Sequence, residues 1–284
     1  MRKQQLPYFA SDTGDFVLYK GDCREIVATM PPKCFDMVFA DPPYFLSNGG
    51  ISVQSGKQVC VNKGEWDESN GCDDVANFNY EWLRTVRSVM KDEATIWVCG
   101  TFHNIFSVAN ALTELDYRVL NAITWQKSNP PPNLSCRFFK HSTEIMLWAR
   151  KSKRTPHRFN YELMHRLADN RQMTDVWRMP AIARWEKTCG KHPTQKPIAL
   201  VVRSILSCTC EGACILDPFV GSGTTGIAAN IIKRNFVGID SERNYLDLAI
   251  ARRQDLELKK EEYLKKIPDL QKLSISGISP VFDP

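Results

Sequence analysis

The sequence predicts an α/β protein with a seven-stranded, mostly parallel sheet and helices on both faces. Two observations predict this fold. Short apolar runs alternate with segments whose apolar residues recur at three-to-four spacing, and two of the runs end on an aspartate followed by proline. Runs that are apolar throughout are typical of strands covered on both sides. The 284 residues, 43% of them hydrophobic, suffice for one large domain or a domain with an insertion.

The individual elements follow in order along the chain. The predicted strands are residues 16–21, 37–40, 95–99, 122–126, 145–149, 213–216 and 236–239. The predicted helices are residues 78–90, 103–115, 199–208, 224–232 and 245–258. Three stretches show neither pattern: a Gly/Ser/Asn-rich loop at 47–71, a basic region at 151–191 and a tail after residue 267.

Positive charge is concentrated in the middle of the chain. Residues 127–191 hold 14 Lys and Arg against 5 Asp and Glu, while the whole chain has a net charge of only +5. Such a segment attracts phosphate backbones, and amide and aromatic side chains lie within it. For any single charge, an ordinary solvated surface is the better explanation.

Composition also limits the location and the chemistry. No apolar run reaches the roughly 18 residues of a membrane span, and the N-terminus has no export signal, so a cytoplasmic protein without membrane contact is expected. The ten cysteines are therefore interpreted as reduced thiols. Cys208, Cys210 and Cys214 lack the paired spacing of zinc ligands, which favours a helix face over a metal site.

The second predicted strand ends in an unusual turn, Asp41-Pro42-Pro43-Tyr44. Neither proline donates a backbone hydrogen bond, and the carboxylate stands where ligands bind in an open parallel sheet. A structural role for Asp41 as a turn cap is the alternative. The motif therefore indicates a catalytic or binding site at this strand end.

A glycine-rich turn follows the strand at 213–216. Asp217 is followed by Gly221, Gly223 and Gly226, and glycine there lets a backbone approach a ligand closely. Taken literally, the glycine spacing is also the dinucleotide fingerprint, with Asp240 at the distance of its ribose-binding acid. A carboxylate before the first glycine disfavours a pyrophosphate and suits a cofactor with a cationic amino end.

Together the two motifs resemble those of S-adenosylmethionine-dependent amino methyltransferases that act on DNA. The catalytic motif comes first, the basic segment second and the cofactor loop last, which resembles the beta class. That resemblance implies a Rossmann-like, circularly permuted methyltransferase fold with an inserted target-recognition region. The implied parts are a catalytic half at 1–150, target recognition at 151–191, a cofactor-binding half at 192–266 and a C-terminal tail at 267–284.

The resemblance also implies roles for individual residues. Asp41, Pro42, Pro43 and Tyr44 would be catalytic: the carboxylate and the Pro42 carbonyl accept hydrogen bonds from the target amino group, and the Tyr44 ring stacks on a base turned out of the helix. The implied cofactor-binding residues are Asp22, Cys23, Asp41, Thr194, Lys196, Asp217, Pro218, Phe219, Gly221, Ser222, Gly223, Thr224, Thr225 and Asp240. Glu242 is the alternative to Asp240 as the ribose ligand. For most of the polar residues in this set, capping of a helix or turn is the alternative role. The histidines are expected at the surface or facing DNA.

The implied substrate is adenine in DNA. Aspartate at the first motif position favours adenine over cytosine, and residues 41–50 and 125–137 resemble the second adenine methyltransferase of GATC-specific type II restriction systems. The implied substrate-binding residues are Tyr44, Phe45, Asn129, Asn133, Arg137 and His141. The implied partners are double-stranded DNA, with single-stranded DNA as a further substrate, and a restriction endonuclease; a homodimer is a candidate assembly.

Three other functions stay open from the sequence. A cytosine-amino methyltransferase would share both motifs. A nicotinamide-dependent dehydrogenase would use the literal glycine fingerprint. A DNA-binding module without catalysis would need only the basic segment, although the intact aspartate and glycine motifs argue against it. No metal is expected.

Overall fold

The computed structural model of the chain describes residues 5–45, 51–54, 57–60, 72–133, 135–190 and 192–275, with the backbone alone at 51–54, 57–60 and residue 72. Of the predicted segments, most of loop 47–71 and the last part of the tail, 276–284, lie outside the described residues. Within these ranges the fold is an alternation of strands and helices, as predicted.

Within the described residues, eleven strands form two sheets. The strands are β1 (Phe9–Ala10), β2 (Phe16–Lys20), β3 (Phe35–Ala40), β4 (Ile51–Gln54), β5 (Lys57–Cys60), β6 (Met90–Gly100), β7 (Arg118–Lys127), β8 (Thr143–Arg150), β9 (Val176–Met179), β10 (Cys214–Asp217) and β11 (Asn235–Asp240). β4 and β5 pair only with each other as an antiparallel hairpin inside the predicted loop. All seven predicted strands are present, with shifted ends.

The described helices include all five that the sequence predicts. They are α1 (Cys23–Val27), α2 (Cys72–Val89), α3 (Ile105–Glu114), α4 (Tyr161–Leu167), α5 (Ile198–Cys208), α6 (Thr224–Ile231), α7 (Arg243–Lys266) and α8 (Pro268–Ile275). A single 3-10 turn at Arg184–Lys187 precedes α5. α1 and α4 were not predicted, because five and seven residues are too few for a helical period to stand out. α8 was missed because it lies in a Pro- and Ser-containing stretch that was interpreted as a tail.

The main sheet has nine strands, not the predicted seven. Its order is β1-β2-β11-β10-β3-β6-β8-β7-β9. The two additional strands are at its edges: β1 is two residues long and antiparallel to β2, and β9 pairs in parallel with β7. The sequence did not reveal them because one is too short for a pattern and the other lies inside the polar, basic segment.

The middle of the sheet is parallel, as predicted. Strands β2, β11, β10, β3 and β6 all run in the same direction, and β8 is antiparallel to its two neighbours, β6 and β7. β3 and β10 are adjacent, with Met37 opposite Ile215 and Val38 opposite Leu216. The two aspartate-proline motifs, far apart in the chain, therefore follow neighbouring strands and lie together at the carboxyl ends of the parallel strands.

Helices cover both faces, and the pleat of β3 shows how. Met37 and Phe39 pack into one core with residues of α4 to α8, whereas Val38 and Ala40 pack into the other core with residues of α1 to α3. Successive side chains of a strand point to opposite faces, so a strand buried on both sides is apolar throughout. This is the physical origin of the uninterrupted apolar runs in the sequence.

The basic region at 151–191 is divided between two ends of the sheet. β8 ends at Arg150 opposite Thr95, and the Asn160 side chain donates to the carbonyls of Leu206 and Thr209, at 2.7 and 2.8 Å, beside the last turn of α5. The first half of the region therefore lies at the amino ends of the parallel strands. β9 then runs parallel to β7 and brings the chain back to the carboxyl ends of the parallel strands.

The segment interpreted as a tail begins as a packed helix. Leu270 and Leu273 of α8 are buried in the main core, and Arg203 of α5 donates two hydrogen bonds to Asp269, at 2.6 and 2.8 Å. Elsewhere in the described ranges, no helix is long and apolar enough to cross a membrane.

Candidate active site

A cavity of about 310 Å³ lies at the carboxyl ends of the parallel strands. Sixteen of the predicted site residues line it: Asp22, Cys23, Asp41, Pro42, Pro43, Tyr44, Thr194, Lys196, Asp217, Pro218, Phe219, Gly221, Ser222, Thr224, Thr225 and Asp240. The lining also contains residues that the sequence did not select: Phe39, Phe78, His192, Gln195, Val201, Val220, Ser241 and Tyr245. Strand ends, a loop and helix N-termini from distant parts of the chain therefore form one site.

The turn after β3 holds Asp41 and Tyr44 together. The Tyr44 hydroxyl donates to Oδ1 of Asp41 at 2.8 Å, and Lys196 Nζ donates to Oδ2 at 2.5 Å. The Tyr44 ring is buried, with the Lys196 ammonium 5.3 Å from its centroid. Burial, followed by the Asp41 charge, raises the pKa of Tyr44 well above its usual value, so the phenol stays protonated and donates. Both carboxylate oxygens of Asp41 thus have a partner within the protein.

Lys196 connects Asp41 to a second carboxylate, Glu144, which sequence analysis missed. Glu144 begins β8, and its two oxygens lie 2.6 Å from Lys127 Nζ and 3.6 Å from Lys196 Nζ. Burial lowers the pKa of Lys196, but the charges of Asp41 and Glu144 outweigh that effect and raise it overall. Burial alone would raise the pKa of Glu144, but the charges of Lys196 and Lys127 outweigh burial and lower that pKa overall. Lys196 and Glu144 therefore both keep their charge.

Asp217 ends β10 at the centre of the site. Its Oδ1 accepts a hydrogen bond from the Phe219 backbone N–H at 2.9 Å, and its Oδ2 accepts one from the Thr225 hydroxyl at 2.5 Å. Burial raises the pKa of this carboxyl to about 7. The aspartate holds the glycine-rich turn in shape and also lines the cavity, so the predicted cofactor role and its structural alternative are compatible.

Asp240 ends β11, the neighbouring strand. Its two oxygens accept hydrogen bonds from the backbone N–H groups of Gly221, at 2.7 Å, and Glu242, at 2.9 Å. Burial raises its pKa to about 6. Glu242, the competing ribose ligand in the sequence analysis, lines the same wall of the cavity. Asp240 therefore links the glycine turn to the start of α7.

The glycine-rich turn is fixed from below by α7. Gly223 is the N-cap of α6 with φ of 76°, a left-handed conformation that favours glycine. The buried Arg252 guanidinium donates to the Ser222 carbonyl at 2.7 Å, to the Ser222 hydroxyl at 3.0 Å and to the Thr224 hydroxyl at 2.9 Å. Arg252 was not predicted as a site residue, because a single arginine in a long helix gives no sequence signal. It pre-organises the turn.

The element before α5 positions Lys196. The buried Glu186 accepts hydrogen bonds from the Ile198 N–H at 2.8 Å, at the start of α5, and from the Ala183 N–H at 2.9 Å. Gln195 donates to the Glu186 carbonyl at 2.9 Å. His192, expected at the surface or facing DNA, instead lines the cavity, with its ring 4.3 Å from that of Tyr245.

The remaining two walls contain Asp22 and an aromatic row. Asp22 caps α1 by accepting from the Arg24 N–H at 2.7 Å and also pairs with the Arg24 guanidinium, so the structural alternative for this residue is realised beside the cavity. Phe45, at φ of 55°, packs edge-on against Phe78 with ring centroids 5.6 Å apart. The Phe78 ring also packs against that of Phe219, with ring centroids 6.0 Å apart. Phe45 is therefore in contact with the wall of the site.

The loop at 128–142 joins β7 to β8 directly beside Lys127 and Glu144. Asn129 accepts from the Ala181 N–H at 2.8 Å, and Asn133 donates to the Phe138 carbonyl at 2.6 Å, so both amides shape the loop. The His141 ring lies 5.4 Å from Phe138, and Arg137 is exposed. Among the described residues that line the cavity, none comes from this loop. These predicted substrate contacts therefore lie beside the cavity.

The arrangement can do a limited set of chemistry. It offers several carboxylates to hydrogen-bond donors, a protonated phenol and a backbone turn open to a ligand. In the described part of the chain, no group of His, Cys, Asp and Glu is arranged to hold a metal ion. Such a site is suited to binding and orienting a polar molecule and to stabilising positive charge on it.

Comparison with protein families gives one match. Residues 35–251 match the family model N6_N4_Mtase, described as DNA methylase. This range contains Asp41, the glycine-rich turn and most of the other lining residues.

Among the similar proteins are two named as type II methyltransferases. Type II methyltransferase M2.MboI of Moraxella bovis is 48% identical over 262 residues, which cover 92% of this chain and 96% of that protein. Type II methyltransferase M2.DpnII of Streptococcus pneumoniae is 49% identical over 256 residues, covering 90% and 94%. The similarity therefore extends over nearly the whole of each protein.

Solved structures with the same fold include one with a ligand. The crystal structure of an M1.HpyAVI-SAM complex matches with a TM-score of 0.64 and 28% identity, covering 84% of this chain and 98% of that one. PvuII DNA methyltransferase (cytosine-N4-specific) matches with a TM-score of 0.68 over 95% of each chain, but at 17% identity this likeness concerns the fold alone.

Proposed function

This chain belongs to the DNA methylase family, and from that premise we propose that it is a site-specific DNA methyltransferase that uses S-adenosylmethionine to methylate the exocyclic amino group of adenine. The observation that carries the proposal is the position of Asp41 and Asp217 at the ends of two adjacent strands, where both line one cavity. The catalytic motif and the cofactor loop thus face the same space. A type II restriction-modification system is the proposed setting, supported by the names of the relatives.

The residues present fit the cofactor. The cavity volume of about 310 Å³ is at the lower end of the usual range for small-molecule sites, about 300–1,000 Å³. Asp217 offers a carboxylate to a cationic amino end, and Asp240 and Glu242 offer carboxylates to ribose hydroxyls. The left-handed Gly223 and the hydrogen bonds from Arg252 keep the turn open to a ligand. When bound, S-adenosylmethionine supplies an electrophilic methyl group on a sulfonium.

The residues of the chain then act by position and charge. Asp41 accepts a hydrogen bond from the amino group of a flipped-out adenine and stabilises the positive charge that develops on the nitrogen during transfer. Tyr44 donates to Asp41 and offers its ring to the base, and the Pro42 carbonyl is the proposed second acceptor. Neither a covalent nucleophile nor a metal is needed, since the amino group itself attacks.

The strand order supports a permuted methyltransferase sheet. β10, with the cofactor loop, follows β3 and β6 in the chain, yet it lies between β11 and β3 in the sheet. We infer that the chain begins with the catalytic half and ends with the cofactor half, at 192–266. Target recognition is assigned to loop 128–142 and the second half of the basic region, because both lie at the carboxyl ends of the parallel strands, where the cavity is.

GATC is the proposed target, from the resemblance of residues 41–50 and 125–137 to the second adenine methyltransferase of GATC systems. The test is transfer of labelled methyl groups to a panel of duplex oligonucleotides that differ only in one tetranucleotide. We expect label only on GATC and N6-methyladenine in the digested product. Label on another tetranucleotide would refute the target, and N4-methylcytosine would support the cytosine alternative.

Single-stranded DNA is a further proposed substrate. Phe138 and Phe139 in loop 128–142 are 59% and 96% exposed, and exposed aromatic rings stack on unpaired bases. The same assay with single strands tests this. A cytoplasmic location, a homodimer and a partner endonuclease stay predictions of the sequence.

A thermal-shift comparison separates the methyltransferase from the dehydrogenase alternative. We expect S-adenosylhomocysteine to raise the melting temperature and NAD to leave it unchanged, since bound ligand stabilises the native state by mass action. Stabilisation by NAD alone would contradict the proposed function.

A further inference from the structure

A buried row of charges runs from β7 through β8 to the catalytic turn. Lys127 Nζ lies 2.6 Å from one oxygen of Glu144, and Lys196 Nζ lies 3.6 Å from the other. Lys196 also donates to Asp41 at 2.5 Å. The side chains of Lys196, Glu144 and Asp41 are 7%, 15% and 16% exposed. Glu144 has no role in the proposed function so far.

One oxygen of Glu144 is not satisfied in this arrangement. Oε2 is buried without a hydrogen-bond partner among the described residues, although a lysine ammonium is nearby. The 3.6 Å between that oxygen and Lys196 Nζ exceeds the usual length of a hydrogen bond. A buried carboxylate oxygen without a donor is unfavourable. A movement of the ammonium by about 1 Å would bring the pair to ordinary hydrogen-bond length.

The same movement would change the state of Asp41. In the structure, its two oxygens accept from Tyr44 and from Lys196. An ammonium on Oδ2 partly neutralises the carboxylate and stands next to the place where a target amino group must bind. Because that amino group gains positive charge during methylation, a cation beside it opposes the reaction through Coulomb repulsion. Asp41 is fully available only when the ammonium moves away.

We propose that Lys196 is a counter-ion with two positions, paired with Asp41 in the empty site and with Glu144 when the target amino group occupies Asp41, so that Glu144 is a positioning residue for methyl transfer. The inference rests on the proposed function. No bond is made or broken and no proton moves in this exchange. The raised pKa of Lys196 and the lowered pKa of Glu144 are consistent with it, since both groups keep their charge.

The central test is the Glu144→Gln variant. Glutamine keeps the size and can still accept from Lys127, but it removes the charge that draws Lys196 from Asp41. We expect the single-turnover rate of methyl transfer to fall by about 10- to 100-fold, as for other residues that act through a neighbouring group. Binding of S-adenosylhomocysteine should change by less than about twofold, because Glu144 does not line the cavity. Glu144→Asp, which keeps the charge, should recover part of the rate.

A double-mutant cycle separates positioning from a general structural role. In a Lys196→Met background there is no ammonium to move, so the further change Glu144→Gln should cost less than about threefold. Lys151→Met is the matched control: it removes another largely buried ammonium, which lies 3.4 Å from Asp92 and contacts neither Glu144 nor Asp41, and the rate should stay within about threefold of wild type. An equal loss from Glu144→Gln in both backgrounds, or a wild-type rate in that variant, would overturn the proposal.

A structure of the wild-type protein with S-adenosylhomocysteine and a target oligonucleotide gives a reading that does not depend on variant stability. The expected result is Lys196 Nζ at hydrogen-bond length from Glu144 Oε2 and the target amino group on Asp41. Lys196 still on Asp41, beside a bound amino group, would refute the two-position model. If wild-type protein methylates no adenine at all, the proposed function fails first, and the two failures are thereby distinguished.

Discussion

Asp217 is buried and Asp240 is half-buried, and both carboxylates accept backbone hydrogen bonds. Their pKa values are raised to about 7 and about 6, in each case mainly by burial. From the sequence, cofactor binding and helix capping were alternatives for both residues. The structure shows that both carboxylates shape the glycine-rich turn while lining the cavity, so the structural role does not exclude the proposed cofactor role.

These raised values predict a pH dependence of ligand binding. A cationic amino group and ribose hydroxyls favour the ionised carboxylates, which the free protein partly protonates below neutral pH. Affinity for S-adenosylhomocysteine should therefore rise as the pH increases through about 6 and about 7, by up to about tenfold per pH unit for each proton released. Calorimetric titration at several pH values measures this.

The matched variant is Asp240→Asn, which cannot ionise. It should bind more weakly at neutral pH and show a flatter dependence on pH, because one of the two titrating groups is gone. Wild-type affinity that stays constant over this range would show that neither carboxylate changes its protonation on binding.

At the scale of elements, the turn from β10 into α6 shows why glycine is required at particular positions. Sequence analysis assigned Gly226 to close ligand approach. A Cβ at Gly226 would instead stand 2.3 Å from a ring carbon of Phe16 and 2.5 Å from one of Phe236. This glycine therefore allows α6 to pack closely on the sheet, and it contributes to the fold more directly than to the site.

Gly226→Ala is accordingly expected to destabilise the protein. Two aromatic rings in a packed core must move, so the free energy of unfolding should fall by about 1–3 kcal/mol. Denaturant unfolding followed by circular dichroism measures the change. Gly212→Ala is the control: its φ of 75° adds strain, but no atom lies within 4 Å of the new Cβ. It should cost only about 1 kcal/mol. Equal stability of Gly226→Ala and wild type would contradict the packing argument.

Sequence predicted the elements whose apolar pattern stands out and missed those that are very short or lie in polar segments. The seven predicted strands and five predicted helices show an apolar run or a helical period, even where they are as short as β10 and α6. β9 has only Val176–Met179, inside a polar segment, and it exists because β7 offers a free edge. α8 begins at Pro268, in a stretch interpreted as a tail, and is recognisable only through its packed Leu270 and Leu273.

At the scale of the whole molecule, the two ends of the parallel strands carry different groups of residues. Asp41, Asp217, Asp240 and Glu144 all lie at the carboxyl ends of the parallel strands or beside them. The first half of the basic region, with Arg154 and Arg158, lies at the amino ends. The sequence showed the concentration of charge but not this division, because linear charge density contains no information about which strand end a residue adjoins.

The division predicts unequal effects of charge reversal. Arg137→Glu and Lys140→Glu, in the loop beside the cavity, should raise the KM for DNA by about tenfold or more, because phosphate contacts dominate the affinity. Arg154→Glu and Arg158→Glu, at the amino ends of the parallel strands, should change the KM for DNA by less than about twofold. Methyl-transfer kinetics at fixed salt measure both pairs. A larger rise in KM from the second pair would show that DNA binds at the amino ends of the parallel strands.

The site itself was predicted in part. Its motifs were recognisable because Asp41-Pro-Pro-Tyr and the Asp217 glycine turn are local patterns, and the resemblance to a family joined them. Glu144 and Arg252 gave no signal, since each acts through a contact between residues that are distant in the chain. Only the sheet brings Glu144 to Lys196 and Arg252 to Ser222.

The most direct measurement is methyl transfer by the Asp41→Ala variant together with its cofactor affinity. Asp36→Ala, at the other end of β3, serves as a control for damage to the strand. We expect Asp41→Ala to bind S-adenosylhomocysteine nearly as wild type does yet to transfer no methyl group, while Asp36→Ala retains transfer. Continued turnover in Asp41→Ala would contradict the assignment of this carboxylate as the group that holds the target amino group.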